Sequence, residues 1–335
     1  MQRKNLVKSF IHLGLGLLIL GFSSCEQKKK EEKQTSEQVS EAIEEDMSPF
    51  FKLSLAQWSL HRTIQNGEMD PMDFAQVAKE MGFEGLEYVT QLYPQIEEAA
   101  GKSNFREEVM KLAEALNERS KEAGMDNVLI MVDHAGELAD PDPEKRKEAI
   151  ENHKIWMDAA ALMGAHSIRA NLFGIIEPEA WHEASVASLK ELATYGASVG
   201  VNIIIENHGG NSSHGARLAA VMKEVNMPTC GTLPDYGNFC VRRRDGDRWG
   251  SPCVEEYDRY LGTEELMPFA KGVSAKSHDF DETGNEVNTD YKKMLDIVKN
   301  ANYNGYIGVE YEGSNLDEKE GIIATRDLLL KAAAN

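Results

Sequence analysis

The stretch Val201–Asn211 (VNIIIENHGGN) is a run rich in β-branched residues that stops abruptly at Glu206, Asn207 and His208 and then at two glycines. It reads as a buried parallel strand delivering polar groups into a loop at its C-terminal end, the end at which α/β folds bind ligands. Two further apolar runs finish in the same way, at Asp235 (TLPDYGNF) and at Glu310 (GYIGVEYEG). A carboxylate so placed either moves a proton or holds a cation. Each one alone reads equally well as a helix cap or as the partner of a surface lysine; their recurrence is what sets them apart.

Something must bring these tips together. From residue 53 onward, apolar strand-like runs alternate with longer segments of helical period. The pattern predicts strands over 53–57, 85–89, 127–133, 166–170, 201–206, 229–235, 272–276 and 306–311. Helices are predicted between them, among them 143–163 behind the start signal Asp142-Pro143, 178–199, one beginning near Glu255, and 291–300, with a last helix over 319–333. Eight strands, each followed by a helix, are the count of an α/β (β/α)8 TIM barrel. No glycine-rich phosphate loop follows the first strand, which weighs against an open doubly wound sheet. In a barrel, strands five, six and eight place Glu206, Asp235 and Glu310 around one side of the mouth. Three carboxylates without a counter-charge raise one another's pKa, and one divalent cation removes the conflict; a carboxylate-rich set suits Mn, Mg, Co or Zn in a non-thiolate site.

The segments IIIENHGG, TLPDYGNF, GVSAKSHDFDETGNE and GYIGVEYEG resemble the strand ends of the xylose-isomerase-like TIM-barrel family of sugar isomerases and epimerases, which also includes endonuclease IV. The resemblance runs from about residue 50 to the end of the chain. It implies a metal held by Glu, Asp, His and Glu from strands five to eight, with the two Glu residues exchanging the substrate proton. By position these are Glu206, Asp235 and Glu310. Strand seven departs from the pattern, because Ser274 stands where the family has its His, two residues before Lys276. His278 shares the parity of Ser274 but lies about 13 Å further along an extended strand, so it serves as fourth ligand only if the chain bends; water or His208 are the alternatives. Asn238 replaces a His found in many members three residues after the Asp, and it can bind a hydroxyl but cannot carry a proton.

The remaining tip residues are read as substrate contacts or as structure. Lys276 has inward parity and belongs either to the chemistry or to a salt bridge with Glu310 or Glu312. His208, followed by two glycines that permit close approach, is expected at the substrate. Trp58, Arg169 and Asn171 are candidate substrate contacts that serve equally well as packing or loop supports, and Glu87 and His134 read as loop supports. Arg242, Arg243, Arg244 and Arg248 read as a solvated charged face. Cys240 and Cys253 bracket that segment and either bridge or remain thiols.

The N-terminus has a basic start, an apolar run from Phe10 to Phe22, and then Ser23, Ser24 and Cys25. This predicts a signal peptide over 1–24, a lipid-accepting Cys25, a solvated tether over 25–48 and a barrel over 49–335, exported and held to the membrane only by its lipid. The chain carries 36 Lys plus Arg against 56 Asp plus Glu, net charge −20, which repels phosphate backbones and argues against nucleic acid. The expected partner is a small unphosphorylated sugar; a homo-oligomer is compatible with everything above. The expected reaction is isomerisation or epimerisation through an enediolate. Elimination or hydration of a 3-keto-glycoside by the same enolisation, and a non-catalytic sugar-binding barrel, are the alternatives.

Overall fold

The computed structural model describes residues 49–334, so the expected signal peptide, the lipid-accepting Cys25 and the tether lie outside the described residues. Eight parallel strands form the barrel: β1 (Lys52–Ala56), β2 (Gly85–Val89), β3 (Asp126–Met131), β4 (Ser167–Ala170), β5 (Asn202–Glu206), β6 (Cys230–Leu233), β9 (Val273–Ser277) and β10 (Tyr306–Tyr311). Their order is β6-β5-β4-β3-β2-β1-β10-β9. The ring closes between β6 and β9 through two isolated parallel bridges, Thr232 to Ala270 and Asp235 to Ser274. Backbone bonds from Tyr236 N to Ser274 O (3.1 Å) and from Ser274 N to Pro234 O (2.9 Å) hold that seam. One expected site residue, Asp235, and Ser274, which stands where the family has its His, therefore sit on the closure of the barrel.

The strands are apolar on both faces because helices cover them outside and side chains fill them inside; Ile203, Ile204 and Ile205 are all fully buried. The main outer helices are α1 (Phe74–Glu80), α2 (Phe105–Ala123), α3 (Pro143–Met163), α4 (Pro178–Val199), α5 (Gly215–Val225), α6 (Arg259–Leu266), α7 (Tyr291–Asn300) and α8 (Glu318–Ala333). The start of α3 shows why they begin where they do: Asp142 accepts from the Glu144 amide and Pro143 fills the first turn, where no amide proton is needed. Among the described residues no helix is long and apolar enough to cross a membrane.

Strand limits differ from the sequence reading by one or two residues, the usual uncertainty of element ends. The larger correction follows β6. Where a helix was expected to begin near Glu255, the chain forms an antiparallel hairpin, β7 (Cys240–Arg243) and β8 (Cys253–Glu256). A disulfide joins Cys240 to Cys253. The helix starts only at Arg259, where Asp258 caps the amides of Tyr260 and Leu261. Bracketing cysteines thus convert an Arg-rich segment into a fixed ribbon above the barrel seam.

One carboxyl lies inside the barrel below the mouth. Glu87 is 1% exposed and accepts from Ser54 Oγ at 2.6 Å, while its second oxygen has no partner. Gly308 on β10 makes room for it, since a Cβ there would lie 2.5 Å from both carboxyl oxygens. Burial pushes Glu87 up from 4.5 to about 7. The protonated form is therefore favoured in the folded chain, and folding loses stability as pH rises from below 4.5 through about 7. Glu87→Gln keeps the shape without the charge, so it is expected to stabilise the barrel by about 3 kcal/mol at alkaline pH and by almost nothing in acid, as read from urea unfolding at the two pH values. An equal effect at both would show that Glu87 does not titrate in this way.

Candidate active site

Each expected carboxylate arrives at the mouth with a specific partner. Glu206, the last residue of β5, takes the amide of Asn238 on Oε1 at 2.8 Å and meets Arg169 Nε with Oε2 at 2.9 Å. Asp235, just past β6, accepts the backbone amides of Gly237 and Asn238 on one oxygen, both at 2.8 Å, and Ser274 Oγ on the other at 2.7 Å. Glu310 on β10 lies in register with Lys276 on β9, so both side chains project to the same face. Its Oε1 is 3.1 Å from Lys276 Nζ and its Oε2 is 3.2 Å from Ser274 Oγ.

Lys276 is 2% exposed and pairs with Glu310 and, at 3.3 Å, with Glu312. Burial alone would lower its pKa, but Glu310 and Glu312 outweigh burial and hold the ammonium well above its ordinary value. Glu312 gains most from this arrangement: burial works against its ionisation, and Lys276 and His278 overcome it to bring it to about 2. Glu310 goes the other way, with burial raising it despite Lys276. Burial raises Asp235 as well. Ser274 connects those two raised groups. Its hydroxyl has one proton to donate, and it lies within bonding distance of both carboxyls, so the second contact requires a proton on one of them.

The other half of the mouth is organised by Arg169. It pairs with Asp133 at 2.8 Å as well as with Glu206, and Asn171 donates to the same Asp133 oxygen at 2.8 Å. Since the Asn171 amide nitrogen is used there, its carbonyl faces His208 Nδ1, 2.8 Å away, and Nδ1 carries the proton. Burial, with Arg169 and Lys276 nearby, lowers His208 to about 3. The imidazole is neutral, with Nε2 left to accept.

A cavity of about 720 Å³ opens onto these groups, lined among others by Trp58, Arg169, Asn171, His208, Asn238, Lys276, His278 and Glu310. Glu206 and Asp235 lie behind this lining, Glu206 bonded to Asn238 and Arg169, and Asp235 to the Asn238 amide and, through Ser274, to Glu310. Trp58 stacks on His61 at 4.4 Å between ring centroids and lines the cavity. His278 lies at the rim beside Glu312, and among the described residues no bond joins its ring to Glu206, Asp235 or Glu310. His134, read as a loop support, adopts φ 60 and bonds Glu97 outside the carboxylate cluster. The sequence reading offered Glu312 as a salt-bridge partner of Lys276, which the structure shows, but it missed Asp133 as the outer anchor of Arg169. It also placed Arg243 and Arg248 on a solvated face, whereas both line the cavity from the hairpin, together with Trp249. The bracketing cysteines were the signal that could have placed them.

The sequence matches the xylose isomerase-like TIM barrel family over residues 75–332. The chain belongs to that family. No curated protein sequence matches it. Solved structures share the fold at low identity. A 3-keto-D-glucoside 4-epimerase from E. coli superposes with TM-score 0.60 at 14% identity, covering 83% of this chain and 98% of its own. A D-psicose 3-epimerase from Clostridium cellulolyticum, solved with D-tagatose, gives 0.57 at 14% over 84% and 96%. A family protein from Mycobacterium smegmatis, solved with magnesium, gives 0.57 at 15% over 85% and 97%.

The donors expected to hold a metal are each engaged elsewhere. Among the described residues no group of three or more His, Cys, Asp or Glu side chains is arranged to hold an ion. Glu206 is turned to Arg169 and Asn238, Glu310 to Lys276, and Ser274 occupies the space between Asp235 and Glu310 where a strand-seven His would contribute its nitrogen. These residues, so arranged, do not fit a divalent ion; the compensating charges are a guanidinium and an ammonium. After exposure to excess Mn²⁺ and removal of free ion, elemental analysis is expected to find well under one ion per chain, and Ser274→His is expected to raise that occupancy. About one ion per chain in the native protein, lost in Asp235→Ala, would show that the carboxylates regroup around a metal.

Proposed function

We propose that this chain is an isomerase or epimerase of an unphosphorylated sugar that moves a proton on the carbon beside a carbonyl. The observation that carries the reading is the buried pair of Lys276 and Glu310 at 3.1 Å, open to the cavity and facing the Glu206–Arg169 pair across the barrel mouth. In its ionised form Glu310 removes the proton. The Lys276 ammonium, already fixed and dehydrated, stabilises the oxygen on which negative charge develops as the enediolate forms. Glu206, behind Arg169 and Asn238, is the second carboxylate and receives or returns the proton once the substrate draws Asn238 from its Oε1. Neutral His208 accepts a substrate hydroxyl on Nε2, and Asn238 and Asn171 complete the polar lining. The sugar epimerases of the same fold support the substrate class.

The same enolisation expels a substituent from the next carbon when the substrate is a ketoglycoside. The outward extent of the cavity favours keeping that elimination as a second reading, and product analysis separates the two. A barrel that only bound sugar would catalyse no hydrogen exchange.

Glu310→Gln preserves shape and removes the base, so it is expected to keep sugar binding and to lose turnover by a factor on the order of 10² or more. Because burial raises Glu310, native turnover is expected to go on rising with pH above about 5, where an exposed carboxylate would already be ionised. The assay is turnover of a ketose and 3-keto-glycoside panel across pH, with binding measured by calorimetry. Undiminished turnover in Glu310→Gln would assign the base elsewhere.

A further inference from the structure

The inner end of the cavity is polar and charged, whereas its outer end is built from the disulfide-closed hairpin β7–β8. Trp249 at the hairpin tip remains 46% exposed although it packs against His208, with ring centroids 4.7 Å apart, and edge-on to Phe173 at 6.3 Å. Arg248 lies over Phe173 at 3.9 Å and is tied down by Glu137, while Arg243 lies 5.8 Å from the Trp249 ring. Arg243 is in turn fixed by the carbonyls of Arg248 and Ser251, at 3.0 and 2.7 Å. Gly209 lies under the indole with φ 91, a backbone conformation that favours glycine and leaves Trp249 seated close to the chain. A large apolar ring is thus held half-exposed at the rim of a cavity whose floor performs the chemistry, with guanidinium groups fixed at its edge.

We propose that Trp249, Phe173, Arg248 and Arg243 form an outer subsite for a second sugar ring, so that the substrate is a disaccharide or larger glycoside with its reacting ring on the Lys276–Glu310 floor. This rests on the sugar reading given above and adds the substrate class to it. A pyranose presents a face of C–H groups that packs on an aromatic ring and an edge of hydroxyls that bond to fixed guanidinium groups, and the outer end supplies both. Size agrees: about 720 Å³ lies in the range that encloses a drug-sized ligand, and one hexose leaves much of it filled only by water. Charge agrees as well: Glu137 neutralises Arg248, and Arg243 is held by two carbonyls, so the outer end offers fixed N–H donors beside an aromatic ring rather than an open cationic pocket, suiting a neutral polyhydroxylated ring. The disulfide fixes the hairpin, so the platform exists before the ligand arrives and less ordering entropy is lost on binding.

The test uses the folded domain with matched probes: D-fructose against turanose and lactulose, and D-glucose against cellobiose and maltose, with binding followed by calorimetry and tryptophan fluorescence. In the native protein at least one disaccharide is expected to bind about tenfold or more tighter than its monosaccharide, with a change in indole emission. In Trp249→Ala that ratio is expected to fall to about one, and Arg248→Gln, which leaves the aromatic packing in place, should reduce it in part. Monosaccharide binding with no gain from the second ring in any pair would overturn the subsite alone, as would a gain that survives in Trp249→Ala. Failure of every sugar to bind the native protein would overturn both the subsite and the sugar reading beneath it.

Discussion

The site depends on one buried ammonium. Lys276 stands almost without solvent between Glu310 and Glu312, and desolvating a lone charge at that depth would be prohibitive without both partners. Once paired, it sets the character of its neighbours: Glu312 is held ionised, and Glu310 remains the carboxyl for which burial still outweighs the attraction. Arg169 performs the matching task across the mouth, where it fixes Asp133 and Glu206. Asp235 and Ser274, between these two centres, belong to the seam that closes the barrel, so the geometry of the site and the closure of the fold are the same set of contacts.

This arrangement distributes roles along the depth of the barrel. Glu87 lies below the mouth, protonated at acid pH and accommodated only because Gly308 has no side chain. The charged groups of Lys276, Glu310, Glu206 and Arg169 lie above it, and it is to them that we assign the proposed proton chemistry. Above them the hairpin adds an aromatic and cationic rim that the eight-stranded fold alone does not provide, and its disulfide ties that rim to a fixed position. The segment between β6 and α6 carries the outer subsite proposed above.

Much of this was legible in the sequence for physical reasons. Parallel strands buried on both faces leave continuous apolar runs, and polar residues directly after such runs mark the ligand-binding end, so the barrel and Glu206, Asp235, Glu310, Lys276 and His208 could be placed from pattern alone. Long-range pairing was legible only where strand parity gave it, as for Lys276 with Glu310 and Glu312. Asp133 looked like an ordinary loop acid because its partner, Arg169, is brought to it only by the fold. The hairpin was read as an Arg-rich loop, and its end near Glu255 as the start of a helix, because neither half has a strand signature beyond the cysteines. The metal expectation rested on three converging carboxylates; in the structure Lys276 reaches Glu310, and the Ser274 hydroxyl, which stands in place of the family His, bridges Asp235 and Glu310.

The central claim is that a fixed lysine supplies the positive charge for proton transfer. The most direct measurement is the rate at which substrate carbon-bound hydrogen is exchanged for deuterium from heavy water, compared between chelator-treated native protein and Lys276→Met. The account predicts that chelation leaves exchange unchanged and that Lys276→Met lowers it by a factor on the order of 10² or more. Exchange that disappears on chelation, returns with Mn²⁺ and survives in Lys276→Met would contradict it.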